Sequence, residues 1–135
     1  MMDLALARRR VEGARVARLG TATVGGRPHL VPCCFALLDD VAYSAVDAKP
    51  KSTLALRRIE NIIANPAACL LVDYYGEDWT ELWWVRLDGI GRVVESRSED
   101  DRAKRALRSK YSQYDELSIP GPVIALGITR WTAWP

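Results

Sequence analysis

The spacing of hydrophobic positions changes along the chain, and each change marks an element. Between Asp3 and Ala14, Leu4, Ala7, Val11 and Ala14 recur at helical spacing, which predicts a short amphipathic helix. From Arg15 to Val24 the period falls to two, with Ala17, Leu19, Thr21 and Thr23 on one face. Gly25-Gly26 then supplies a turn, and His29 to Leu38 runs on as an apolar, β-branched partner strand. Asp39-Asp40 is a second turn signal, so Val41 to Val46 is expected as a third strand.

The helical period returns from Thr53 to Asn65, where Leu56, Ile59, Ile62 and Ile63 form one stripe, Ser52 is the N-cap and Asn65-Pro66 the stop. Ala67 to Tyr75 reads as a buried strand and Gly76-Glu77-Asp78 as a loop. Leu82 to Glu95 is one long strand, or a bent pair interrupted at Gly89 and Gly91, with Trp83, Val85 and Leu87 facing one way. A charged, solvated helix is expected from Ser98, with Asp101 in capping-box position and Arg105, Arg108 and Lys110 near its end, where cations suit the dipole. A loop from Ser112 to Pro122 leads into a last strand, Val123 to Trp134. Strands in a meander, not alternating with helices, predict a mainly β fold: a six-stranded antiparallel barrel in one domain spanning residues 1–135.

Composition narrows the function. The 135 residues are about half apolar, enough for a real core, and the formal net charge is only +2 with the signs interspersed, so no basic face recruits nucleic acid. No apolar run is long enough to span a bilayer and the Arg-rich start has no apolar signal core, which leads us to expect a cytoplasmic protein away from membranes. The cysteine count is odd, and the neighbours Cys33 and Cys34 point to opposite faces of a strand, so no disulfide framework is expected. Cys33, Cys34, Cys69 and His29 show no CxxC or HxxxH spacing, and no metal site is expected.

Candidate chemistry concentrates in Asp47-Ala-Lys-Pro-Lys-Ser-Thr53, between a strand end and a helix start. A helix N-terminus presents unpaired N–H groups, and the ammonium groups of Lys49 and Lys51 with the Ser52 hydroxyl would complete a cradle for one phosphate; the alternative is an ordinary solvated loop. His29, the sole histidine, is either structural or an acid/base. Of the group Trp79, Trp83 and Trp84, Trp83 shares a face with apolar residues and suits the core. Trp84 shares one with Arg86 and Asp88 and suits a pocket wall or an interface.

The segments ARLGTATVGGRPHLVP, KPKSTLALRRIENIIANPAACLLVDYY, DWTELWWVRLDGIGRVVE and RWTAW together resemble the pyridoxamine-phosphate-oxidase-like class of F420-dependent oxidoreductases. The resemblance implies a split β-barrel homodimer of the FMN-binding type, with cofactor sites at the subunit interface for the deazaflavin coenzyme F420 or, in sister families, FMN. It also implies that Lys49, Lys51 and Ser52 hold the cofactor phosphate, that Ser44 adds a polar contact, and that His29, Leu30, Val31 and Pro32 line the ring. The implied activity is hydride transfer between F420 and an unsaturated small-molecule substrate, with solvent, Tyr43 or His29 as proton donor. An FMN-dependent reductase or oxidase of the same fold, and a non-catalytic F420 carrier or sensor, are the alternatives. The C-terminal Arg/His motif of the pyridoxamine phosphate oxidases proper is absent, so pyridoxamine phosphate is not the expected substrate.

Overall fold

In the computed structural model, residues 2–46, 53–116, 119 and 121–135 are described. Helix α1 (Leu4–Gly13) opens the chain, its first turn capped by Asp3, whose carboxylate accepts the Leu6 N–H at 2.8 Å. Then come β1 (Ala17–Ala22), β2 (Pro28–Cys33), β3 (Ala36–Leu38), β4 (Val41–Ala45), α2 (Thr53–Ala64), β5 (Ala67–Tyr74), β6 (Trp83–Val93), α3 (Arg97–Lys110), α4 (Gln113–Glu116) and β7 (Val123–Trp134). The strands form one antiparallel sheet in the order β2-β1-β5-β6-β7-β4-β3. Because β2 and β3 are consecutive in sequence yet sit at opposite edges, the short link between them pulls the edges together and curls the sheet into a half-barrel.

Three of the predicted elements differ in the structure. There are seven strands rather than six, because the predicted strand from His29 to Leu38 breaks at Cys34–Phe35: its first half pairs with β1 and its second with β4. At the break, the backbone groups of fully buried Phe35 leave the ladder and meet the Tyr111 hydroxyl, which accepts the Phe35 N–H at 3.1 Å and lies 3.1 Å from its carbonyl oxygen. The Ser44 hydroxyl donates to the Cys34 carbonyl at 2.8 Å beside it. A chain can leave a sheet inside the protein only where such partners satisfy its polar groups.

The second correction concerns α3, whose N-cap lies two residues before the predicted Ser98. Its N-cap is Ser96, whose Oγ accepts the Glu99 N–H at 3.3 Å, and this places Glu99 where Arg92 and Tyr43 can reach its carboxylate. Nor is α3 merely solvated: Ala103 and Leu107 are fully buried against the β3–β4–β7 side. The expected loop after it also contains the short α4.

The main core lies inside the curl and is built from alternate residues of the strands: Ala17 and Leu19, Leu70 and Val72, Val85 and Leu87, with Leu126 and Phe35. Helix α2 covers the end near the β1–β2 hairpin. Asn61 Nδ2 donates to Thr21 Oγ1 at 3.2 Å, and Ile62 fills the space that Gly91 leaves by having no side chain. The long β6 is a single strand with a register shift against β7 between Asp88 and Gly89, where a side chain on Gly89 would strike the Gly127 backbone.

Candidate functional site

Inward positions of the curled sheet are mostly apolar and closed, Thr21 and His29 excepted; the outward ones carry the accessible chemistry. On β1, β5, β6 and β7 the outward residues include Arg18, Gly20, Cys69, Leu71, Asp73, Trp84, Arg86 and Trp134, by the same alternation that buries their neighbours. All of these but Gly20 line a groove of about 550 Å³ that reaches from Leu30 on β2 to Tyr74, Tyr75 and Leu82 at the β5–β6 tip. Its charges are paired: Arg18 with Asp73 and Arg86 with Asp88, each at 3.0 Å. Trp84 lies in this wall; Trp83, half-buried beside the core under the Arg10 guanidinium, also lines the groove near the β5–β6 tip.

At one end of the groove is the free edge of β2. Thr23 donates to the Arg27 carbonyl at 3.0 Å at the hairpin, which fixes the parity of the ladder: Thr21–His29, Leu19–Val31 and Ala17–Cys33 are the hydrogen-bonded pairs. The N–H and C=O of Leu30 therefore point away from β1, and so do the nitrogens of Pro28 and Pro32, which carry no hydrogen. Leu30 is thus the single N–H donor on that edge between two prolines, and no hydrogen bond among the described residues engages it. Its side chain is 69 % exposed on the groove side.

The site residues predicted from sequence separate accordingly. Leu30 and Pro32 face outward, while His29 and Val31 face the barrel interior, where His29 Nδ1 is buried without a partner. Ser44 is buried and its hydroxyl is committed to the Cys34 carbonyl. Lys49, Lys51 and Ser52 lie outside the described residues. Both proton-donor candidates stand away from the groove: His29 points inward, and the Tyr43 hydroxyl donates to Glu99 at 2.6 Å, its pKa raised by burial and by that carboxylate.

Pattern reading missed several groove residues: Cys69, Tyr74, Tyr75 and Trp134. The Cys69 thiol is pushed up by burial and by Asp88, so it stays protonated at neutral pH. Gly20 makes room for it, since a Cβ there would come within 3.0 Å of the sulfur. Among the described residues no cluster of His, Cys, Asp and Glu is arranged to hold a metal ion, and no helix is long and apolar enough to cross a membrane.

Solved structures share this architecture over nearly the whole chain. A conserved hypothetical protein from Mycobacterium tuberculosis superposes with a TM-score of 0.75 at 21 % identity, over 99 % of this chain and 85 % of its own. An FAD-binding protein from Mesorhizobium loti gives 0.74 at 24 % identity, over 98 % and 94 %. HutZ, the heme storage protein from Vibrio cholerae, gives 0.73 at 13 % identity, over 99 % and 94 %. No curated protein matches the chain significantly in sequence. Residues 5–135 match the family described as pyridoxamine 5'-phosphate oxidase, and the chain, with its curled antiparallel sheet and outward groove, belongs to that family.

Proposed function

We propose that this protein is a homodimeric oxidoreductase that holds a flavin-type three-ring cofactor against the free edge of β2 and passes hydride to an unsaturated small molecule. The observation that carries this reading is the lone Leu30 N–H, framed by Pro28 and Pro32 and opening onto an apolar, aromatic groove. An edge with one donor and neighbouring carbonyls suits the polar rim of a planar heterocycle, and the groove suits its flat faces. FMN, FAD and coenzyme F420 all present such a ring. The FAD-binding relative of the same fold favours a flavin, whereas the resemblance in sequence favours F420.

The cofactor, when bound, supplies the redox chemistry. The chain's own residues bind and orient: Leu30 N–H takes an acceptor on the ring, Lys49, Lys51 and Ser52 hold the phosphate, and the groove keeps water from the reacting face. With Tyr43 and His29 turned away, the hydroxyl and thiol side chains that line the groove among the described residues are Cys69, Tyr74 and Tyr75. The relative that stores heme shares the fold, but the only histidine of this chain points into the barrel, so the groove has no imidazole to offer an iron.

Fluorescence titration with FMN, FAD and F420 tests the reading. We expect saturable binding of at least one, weakened tenfold or more in Lys49→Ala/Lys51→Ala, and oxidation of the reduced cofactor by a panel of enones and quinones. Tight binding without turnover would make the protein a carrier; binding of none would refute the reading.

A further inference from the structure

A second cleft, of about 320 Å³, shares no residue with the groove. It is formed by α1, β3 and α3. Ala36, Leu37, Leu38 and Ala106 give it apolar walls, Glu12 and Ser109 stand at its exposed rim, and Lys110 completes the lining. A space of this size holds a small organic molecule.

Lys110 ends α3 beside the exposed Arg108 and Ser109, a position from which a long, flexible stem can carry its ammonium into water. Instead Nζ is buried, 3.7 Å from the Phe35 ring centroid and 5.4 Å from that of Tyr111, and no hydrogen bond engages it. Burial, with the Arg15 charge adding, draws the amine down to about 8, the behaviour of a cation held out of water without a counter-ion. Arg15 stacks on the same Tyr111 ring, its Cζ 4.6 Å from the centroid, and donates to the Lys110 carbonyl at 2.9 Å. Among the described residues no carboxylate pairs with either cation, and Glu12 at the rim is bonded to Arg8 at 3.0 Å. Two cations thus meet at one ring, beside an apolar cleft, with no anion between them. Ring faces offset part of the desolvation, but a buried charge is settled only when it is paired and hydrogen-bonded.

We propose that this cleft binds a small monocarboxylate, a short-chain aliphatic or single-ring aromatic acid. Its apolar body lies against Leu37, Leu38 and Ala106, and its carboxylate takes the Lys110 ammonium as counter-ion, with the Arg15 charge adding to the attraction. The stem of Lys110 lines the cleft and has the freedom to turn the ammonium from the Phe35 ring towards the ligand. The apolar walls favour such an acid over inorganic phosphate, which has no apolar part to bury there. The ammonium favours it over a neutral analogue of the same shape, which leaves the charge unpaired. The site stands whether or not the groove holds a cofactor.

Calorimetric titration of the full chain with benzoate and butyrate, against benzamide and inorganic phosphate, tests the proposal. At least one of the two acids should bind saturably, with benzamide and phosphate weaker by about tenfold or more, the worth of one charge-assisted hydrogen bond. Lys110→Met keeps the apolar stem and removes the charge, so it should weaken binding of the acid by about tenfold or more. Ala106→Trp fills the cleft while leaving Lys110 in place and should abolish binding. Thermal melts establish that each variant is folded; should the tryptophan not be accommodated, Lys110→Met and the benzamide comparison decide. The proposal is overturned if neither acid binds, or if benzamide or phosphate binds as tightly as the acids. A folded Lys110→Met or Ala106→Trp protein that binds the acid within about twofold of wild type overturns it equally.

Discussion

Replacing Tyr111 by phenylalanine removes one oxygen from the point where the sheet changes edges. That oxygen accepts the N–H of Phe35, which is fully buried, and its single proton goes to the carbonyl of Arg15 at 3.0 Å or of Phe35 at 3.1 Å. Without it the Phe35 N–H is stranded in the core, at a cost of about 1–3 kcal/mol, and one donated bond worth about 1 kcal/mol is lost as well. Tyr111→Phe should therefore destabilise by about 2–4 kcal/mol. With about 2.1 cal/mol/K of unfolding entropy per residue, 135 residues translate each kcal/mol into roughly 3.5 °C, so Tm should fall by roughly 7–14 °C. Urea and thermal unfolding followed by tryptophan fluorescence reads this directly, with Tyr74→Phe, on a half-exposed ring, as the control expected within about 0.5 kcal/mol of wild type. A Tyr111→Phe protein that loses less than about 0.5 kcal/mol would show that the hydroxyl is not what holds the strand break. Burial pushes the Tyr111 phenol up to about 12, so it is neutral in any ordinary buffer; its contribution should decline only as pH rises from about 10 towards 12.

Glu99, held bidentately by Arg92 and bonded by Tyr43, has its pKa drawn down to about 2, so its stabilisation should be complete above about 4.5 and disappear as pH falls towards 2. Glu99→Gln should flatten that slope in acid-unfolding curves. Burial, with Arg15 adding, draws Lys110 down to about 8, and its Nζ sits 3.7 Å from the Phe35 ring centroid with no hydrogen-bond partner. Folding stability should accordingly rise between about pH 8 and 10.5, and Lys110→Met should remove that rise. Gly89→Ala, which forces a Cβ into the Gly127 backbone, should cost about 2 kcal/mol or more, whereas Gly13→Ala, with open space around it at a helix end, should gain up to about 1 kcal/mol; both are read by urea midpoint.

Most of the elements were legible because their period was clean. The alternation Ala17, Leu19, Thr21 and the stripe Ile59, Ile62, Ile63 each fit one regular structure, and the predicted ends lie within a residue or two of the observed ones. The strand break at Phe35 was not legible, since Cys34-Phe35-Ala36 keeps an apolar pattern and its determinant, Tyr111, lies 76 residues away. The start of α3 was misread for a related reason: Ser96 and Ser98 are equivalent as local caps, and the choice is made by Arg92 and Tyr43, which need Glu99 in place. In the candidate site, His29, Leu30, Val31 and Pro32 were expected as one lining, whereas the period-two alternation of β2 turns His29 and Val31 away from Leu30 and Pro32. The ladder parity that makes Leu30 the lone edge donor between two prolines depends on the register against β1, which the sequence does not carry. The groove joins β1, β2, β5, β6 and β7, a neighbourhood that only the fold assembles.

The most direct test of the account is the affinity of Leu30→Pro for the cofactor that the wild type binds. At this position the ladder to β1 uses no N–H, so the variant should fold with a Tm close to that of the wild type. Losing one hydrogen bond worth about 1.4 kcal/mol predicts binding of FMN, FAD or F420 weaker by about tenfold. A folded Leu30→Pro protein that binds the same cofactor within twofold of wild type would contradict the claim that the free edge of β2 holds the ring.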